Sequence, residues 1–173
     1  MTALTLTLIG PDRPGLVQAV SDRIAAVGGN WTESRMARLA GQFAGILLID
    51  VPDAEIDALV RDLQDLETEG LRVSIASGTA EQVQKQRGMT LELIGHDHPG
   101  IVRDISQVLA ARGVNIEELT TSLESASFAG ETMFKAVVRL SAPNDLEAHE
   151  LRHALETIAN DLMVDITLDG AAR

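Results

Sequence analysis

The 173-residue chain contains no cysteine, which excludes disulfides, thiolate metal centres and a cysteine nucleophile. Aromatic side chains are almost as scarce: three Phe, one Trp and no Tyr. A core must then be built from Leu, Ile, Val and Ala, and a surface for stacking nucleobases has almost no material. Positive charge is also short, with 14 Lys and Arg against 26 Asp and Glu, a net charge of −12. The deficit is shared, since residues 1–78 hold 11 acids and 6 bases and residues 79–173 hold 15 and 8. A phosphate backbone is repelled by such a field, so neither half reads as a nucleic-acid binder. The longest apolar run, Phe43 to Ile49, is far too short for a membrane span, and Met1-Thr2-Ala3 carries no basic leader pattern. The expectation is a soluble cytoplasmic protein.

What is present is a repeat. Leu6-Thr7-Leu8-Ile9-Gly10-Pro11-Asp12-Arg13-Pro14-Gly15-Leu16-Val17 returns 85 positions later as Leu91-Glu92-Leu93-Ile94-Gly95-His96-Asp97-His98-Pro99-Gly100-Ile101-Val102. The register persists through Ser21/Ser106, Gly28/Gly113 and Asn30/Asn115. Two copies of one unit of about 80 residues are therefore expected, each near the lower limit for an independent core. The boundaries predicted are 1–78 for the first domain, 79–88 for a polar linker and 89–173 for the second.

In the first copy, Leu4 to Ile9 alternates as a strand and is broken by the Gly/Pro-rich turn at 10–15. A helix follows with Leu16, Val17, Val20, Ile24 and Val27 on one stripe and Gly28-Gly29 as its stop. Strands at 30–39 and 43–51, joined by Ala40-Gly41-Gln42, lead to a helix from Pro52-Asp53 and a closing strand at 71–75. The second copy reads as strand 89–94, helix 99–111, strands near 115–124 and 132–140, helix 145–160 and strand 163–168. Asn144 and Glu147 have capping-box spacing before its second helix. The order βαββαβ predicts α+β architecture: two ferredoxin-like sandwiches, each a four-stranded antiparallel sheet with both helices on one face. Phe43 to Ile49 is apolar on both sides, as expected of a central strand or of a sheet whose bare face meets another protein surface.

The turn before each first helix is the candidate site. Its free backbone N–H groups suit a carboxylate or a phosphate, and Gly15 and Gly100 have no Cβ to keep a small ligand from the main chain. Asp12 and Asp97 either meet such a ligand or cap the helix. Asn30 and Asn115 open the next strand, at an end expected to lie near the turn, and an amide offers both donors and an acceptor.

The tandem arrangement of strand, G-x-D-x-P-G, helix, G-x-N and strand resembles the ACT domain family of amino-acid-sensing regulatory modules over nearly the whole chain. Gly10 to Val17, Gly28-Gly29-Asn30-Trp31, Ser34-Arg35-Met36 and Phe43-Ala44-Gly45 are similar to the two-ACT glycine cleavage system transcriptional repressors. The resemblance implies ligand roles for Asp12, Gly15, Leu16 and Asn30, and for Asp97, Gly100, Ile101 and Asn115, with an amino acid such as glycine or serine held between paired domains. It further implies a non-enzymatic regulator without cofactor or metal, acting on a DNA-binding activator protein and not on DNA. The two-sided apolar strand at 43–49 favours a homodimer, and the short apolar runs leave no membrane contact expected. Asp12 and Asp97 depart from a frequent pattern in which an amide residue stands there. An acid beside a bound carboxylate repels it, so these acids suit a ligand's ammonium group or a capping role. An ACT-type interaction module without a small ligand is the alternative.

Three other chemistries have partial signatures. His149-Glu150-Leu151-Arg152-His153 is a literal H-E-x-x-H, the helical zinc motif of metal-dependent hydrolases. Leu151, Leu155, Ile158 and Leu162 claim the buried stripe, however, and both His residues lie about 200° from Leu151 and should face solvent. Arg13 and Asn30 imitate an acylphosphatase pair, but His98 replaces the arginine in the second copy. An RNA-recognition module shares the topology, and Phe43, Phe128 and Phe134 do not supply its stacking surface.

Overall fold

The computed structural model describes residues 1–77, 86–125 and 132–170. Two compact units divide at Glu81 and Gln82. In the first, β1 (Thr2–Pro11), α1 (Leu16–Ala26), β2 (Asn30–Leu39), β3 (Gln42–Val51), α2 (Ile56–Gln64) and β4 (Arg72–Ser77) follow one another, with short 3₁₀ turns on either side of α2. In the second, the order is β5 (Arg87–His96), α3 (Ile101–Ala110), β6 (Asn115–Ser125), β7 (Thr132–Ala142), α4 (Ala148–Leu162) and β8 (Val164–Gly170). The sheets are ordered β2-β3-β1-β4 and β6-β7-β5-β8, antiparallel throughout. These are two ferredoxin-like α+β sandwiches, as the element order predicts.

Alternation in β1 sends Leu4, Leu6 and Leu8 to one face, where they join Leu16, Val20 and Ile24 of α1 and Leu59 and Leu63 of α2 in a single buried cluster. Leu91 and Leu93 do the same with Ile105 and Leu109 of α3 and Leu151 and Leu155 of α4. Each such leucine, fully buried, stabilises its unit by about 1.5–3 kcal/mol, which is how a core with so few aromatics suffices. Val17, expected on the buried stripe, is instead 46% exposed. Leu16, Val20 and Ile24 define the helix face, and Val17 stands about 100° from Leu16. Helix α1 ends as a Schellman motif: Gly28, at φ 68°, donates to the Ala25 carbonyl and Gly29 to that of Ile24. Gly113 and Val114 repeat it after α3.

Asn144 is not the N-cap of α4, which starts three residues later than the capping-box spacing predicts. Leu146 N–H donates to the Pro143 carbonyl at 3.2 Å, closing a β-turn through Asn144 and Asp145, and Glu147 becomes the N-cap of α4 without a side-chain bond. Strand β5 also starts inside the expected 79–88 linker, because Arg87 and Gly88 pair with Ala142 and Ser141. Residues 78–85, the rest of that linker, lie outside the described residues.

Central strand β3 is apolar on both sides for two reasons. Leu47, Ile49 and Val51 enter the core, while Ile46, 48% exposed, lies with Ala44 and Leu48 on the sheet face the helices do not cover. The matching face of the second sheet is charged, with Lys135 and Arg139 on β7, Glu92 on β5 and Asp165 on β8.

Candidate functional site

Each β-to-α turn is tied to its own sheet before the helix begins. Asp12 N–H donates to the Gly41 carbonyl at 2.9 Å, and Asp97 N–H to that of Thr132 at 3.1 Å. The chain then reaches Gly15 at φ 92° and Gly100 at φ 105°, left-handed positions that a side chain rarely adopts. These glycines are the N-caps of α1 and α3, and no side-chain hydrogen bond caps either helix. The first intrahelical bonds are Ala19 N–H to Gly15 and Asp104 N–H to Gly100. The amides of residues 16–18 and 101–103 thus form the positive end of each helix dipole. Asp12 does not cap: its carboxylate faces the Arg38 guanidinium at 3.5 Å.

The first glycine of the repeated turn has a different duty. A Cβ on Gly10 would lie 2.5 Å from the Gly70 carbonyl oxygen, and one on Gly95 would lie 2.5 Å from Val164 Cγ1. These two positions let the turn and the neighbouring strand approach each other. Nothing in the local sequence marks that need, because it arises from a segment some 60 to 70 residues away.

The two turns diverge at the mouth. Apart from the adjoining main chain, no heavy atom of the described residues lies within 4 Å of where a Cβ on Gly15 would be. The same position on Gly100 is 3.2 Å from Arg103 Nη2 and 3.5 Å from Asp104 Oδ2. Arg103 Nε donates to Asp104 Oδ1 at 2.6 Å, so an ion pair covers the second turn. That hydrogen bond holds the Asp104 carboxyl below its ordinary range against the opposing cost of desolvation, with smaller help from the charges of Arg103 and His98. The signal was in the sequence, since Gln18-Ala19 occupy the corresponding places in the first copy.

Leu16 and Ile101 are buried core residues that contribute only their main chain to the turn. Asn30 and Asn115 are not near it within a unit. Asn30 is level with Asp50, which is level with Ala3, whereas the turn follows Pro11 at the other end of β1. At about 3.3 Å per residue the two lie roughly 26 Å apart along the sheet. Asn115, level with Ser141 and Gly88, is equally remote from the turn after His96. Helix α1 runs back antiparallel to β1, so the residue opening β2 must emerge at the far end. A site that uses both the turn and the asparagine needs a second unit to supply one of them.

The same geometry dissolves the acylphosphatase pair: Arg13 donates to the Glu69 carbonyl at 3.1 Å, and Asn30 is at the other end of the sheet. Leu151 is fully buried while His149 and His153 are exposed, as their helical spacing predicts. Among the described residues no three His, Asp or Glu gather as a metal site. Phe43 and Phe134 pack partly buried against the two cores, and Phe128 lies outside the described residues.

ACT domain models match residues 2–76 and 89–148. The chain belongs to the ACT domain family. Its solved relatives include an unknown protein from Galdieria sulphuraria, 30% identical over 99% of both chains with a TM-score of 0.88. A candidate glycine cleavage system transcriptional repressor shares the fold at TM-score 0.73 and 19% identity, over 99% of this chain and 98% of that one. The glycine cleavage system transcriptional repressor of Escherichia coli K12 is 21% identical over 161 residues, 92% of this chain and 85% of its own. Two ACT domains in tandem thus account for the 85-residue repeat. No helix among the described residues is long and apolar enough to cross a membrane.

Proposed function

We propose that this tandem ACT protein is an amino-acid-responsive regulator whose primary ligand site is the turn at Asp12 to Leu16. The observation that carries the reading is the uncapped start of α1 beside an unobstructed Gly15. There the amides of residues 16–18 would accept a ligand's carboxylate, and Asp12 would face its ammonium group. Asn30 would come from a facing copy of the chain, which makes the ligand a clamp on a homodimer. Gly100 and Ile101, with Asp97 and Asn115, form a second site of lower affinity, because the Arg103–Asp104 pair must first move aside. Ligand then acts by binding one arrangement of paired domains more tightly than another.

Similarity to the glycine cleavage system repressors supports glycine or serine as ligands and a DNA-binding activator protein as the regulated partner. The net charge of −12 agrees with action through protein and not through DNA. The test is a panel of amino acids followed by Trp31 fluorescence and melting temperature. Trp31 adjoins Asn30 and packs half-buried against the first core. A ligand at 100 times its Kd should stabilise the first domain by about 2.7 kcal/mol. If no amino acid changes either signal, the alternative stands: an interaction module working through the uncovered face around Ile46.

A further inference from the structure

The second turn carries a titratable contact where the first carries a permanent one. Arg13 and His98 occupy the same place in the two copies, and each reaches across to the end of its unit's second helical segment. Arg13 Nη2 donates to the carbonyl of Glu69, the residue before left-handed Gly70. His98 Nε2 lies 3.0 Å from the carbonyl of Leu162, the residue before left-handed Met163. Those last carbonyls are the negative pole of the segment and favour a cation. A guanidinium is a cation at every physiological pH; an imidazole is one only when doubly protonated. We propose that His98 is a proton-operated latch between the ligand turn of the second ACT domain and the C-terminus of α4, with Arg13 its proton-independent counterpart.

The ring's surroundings select the charged form by geometry. Nδ1 lies 3.2 Å from the Pro99 carbonyl, so both ring nitrogens face carbonyl oxygens. A neutral imidazole has one N–H and must turn a lone pair toward one of them. The charged groups that act on the ring are Asp97 of its own turn and Asp104 of α3, which Arg103 shares; α4 presents the Leu162 carbonyl. The Leu162 carbonyl, and then that of Pro99, raise the His98 pKa above its ordinary value; desolvation opposes them, and the Asp97 and Asp104 carboxylates add smaller upward pushes. A raised value fixes the sign: the latch is closed below the ordinary pKa of about 6.5 and is lost as pH rises through the folded-state value. Only the second turn loosens as pH rises. Its consequence for ligand affinity rests on the proposed function, but the latch itself does not.

The test uses the full-length chain without ligand, followed by NMR. The His98 imidazole should titrate with a midpoint above about 6.5. Over the same range, hydrogen-exchange protection factors of residues 97–104 should fall by roughly threefold or more from pH 6 to pH 8, while those of residues 12–19 stay level. His98→Arg should abolish the pH dependence of the second turn, and Arg13→His should create one in the first. A midpoint at or below 6.5, level protection factors while His98 titrates, or a flat response in folded Arg13→His protein overturns the proposal. Loss of amino-acid binding with the latch titration intact would instead count against the ligand site alone.

Discussion

Replacing Gly10 with alanine separates a structural glycine from a ligand-binding one. The new Cβ would stand 2.5 Å from the Gly70 carbonyl oxygen and 3.2 Å from Leu71 Cα, and neither is the free end of a side chain that can swing away. The backbone of β1 or of the segment entering β4 must shift, which overpacking data place at about 1–3 kcal/mol. For the first unit, Met1–Glu81, a loss of about 2 kcal/mol lowers the melting temperature by roughly 8–16 °C. Differential scanning calorimetry should show the first domain's transition moving and the second's holding. Gly95→Ala offers an internal control, because part of the obstruction there is the Val164 side chain, with Cγ1 at 2.5 Å and Cβ at 2.9 Å. Adding Val164→Ala to Gly95→Ala should therefore restore part of the lost stability, whereas trimming side chains near Gly70 cannot rescue Gly10→Ala. A Gly10→Ala protein with unchanged melting but lost amino-acid binding would refute this assignment and make Gly10 part of the ligand cradle.

Leu59→Ala in the buried face of α2 should cost about 2–5 kcal/mol in urea denaturation, while Val17→Ala, half-exposed, should stay within about 0.5 kcal/mol. Gly15→Ala meets no atom but forces a side chain into a left-handed backbone, so a loss of about 1–2 kcal/mol is expected in the same assay. Arg103→Ala uncovers Gly100 and should strengthen amino-acid binding at the second turn, measured by calorimetric titration. That substitution also returns Asp104 toward its ordinary pKa; since the wild-type value is depressed, the pair's stabilisation is present above about pH 4 and lost as pH falls through the folded value. His149→Ala should leave melting within about 0.5 kcal/mol of wild type and unmoved by zinc, as befits an exposed side chain.

Local order settled the two units, the strands and helices of the described residues, the buried leucines and the repeated turn, because alternation, helical spacing and glycine stops act over a few residues at a time. The 85-residue repeat alone required two sandwiches, and His98 in place of Arg13 already told the two turns apart. Only the tertiary structure decided what each chemically suggestive residue could reach. It put Asn30 at the opposite end of the sheet from Asp12 and set a carbonyl against Gly10, for a helix that returns antiparallel to its strand separates neighbours in sequence and joins segments distant along the chain. It also placed Leu162 beside His98, giving one imidazole two acceptors that no local pattern could reveal.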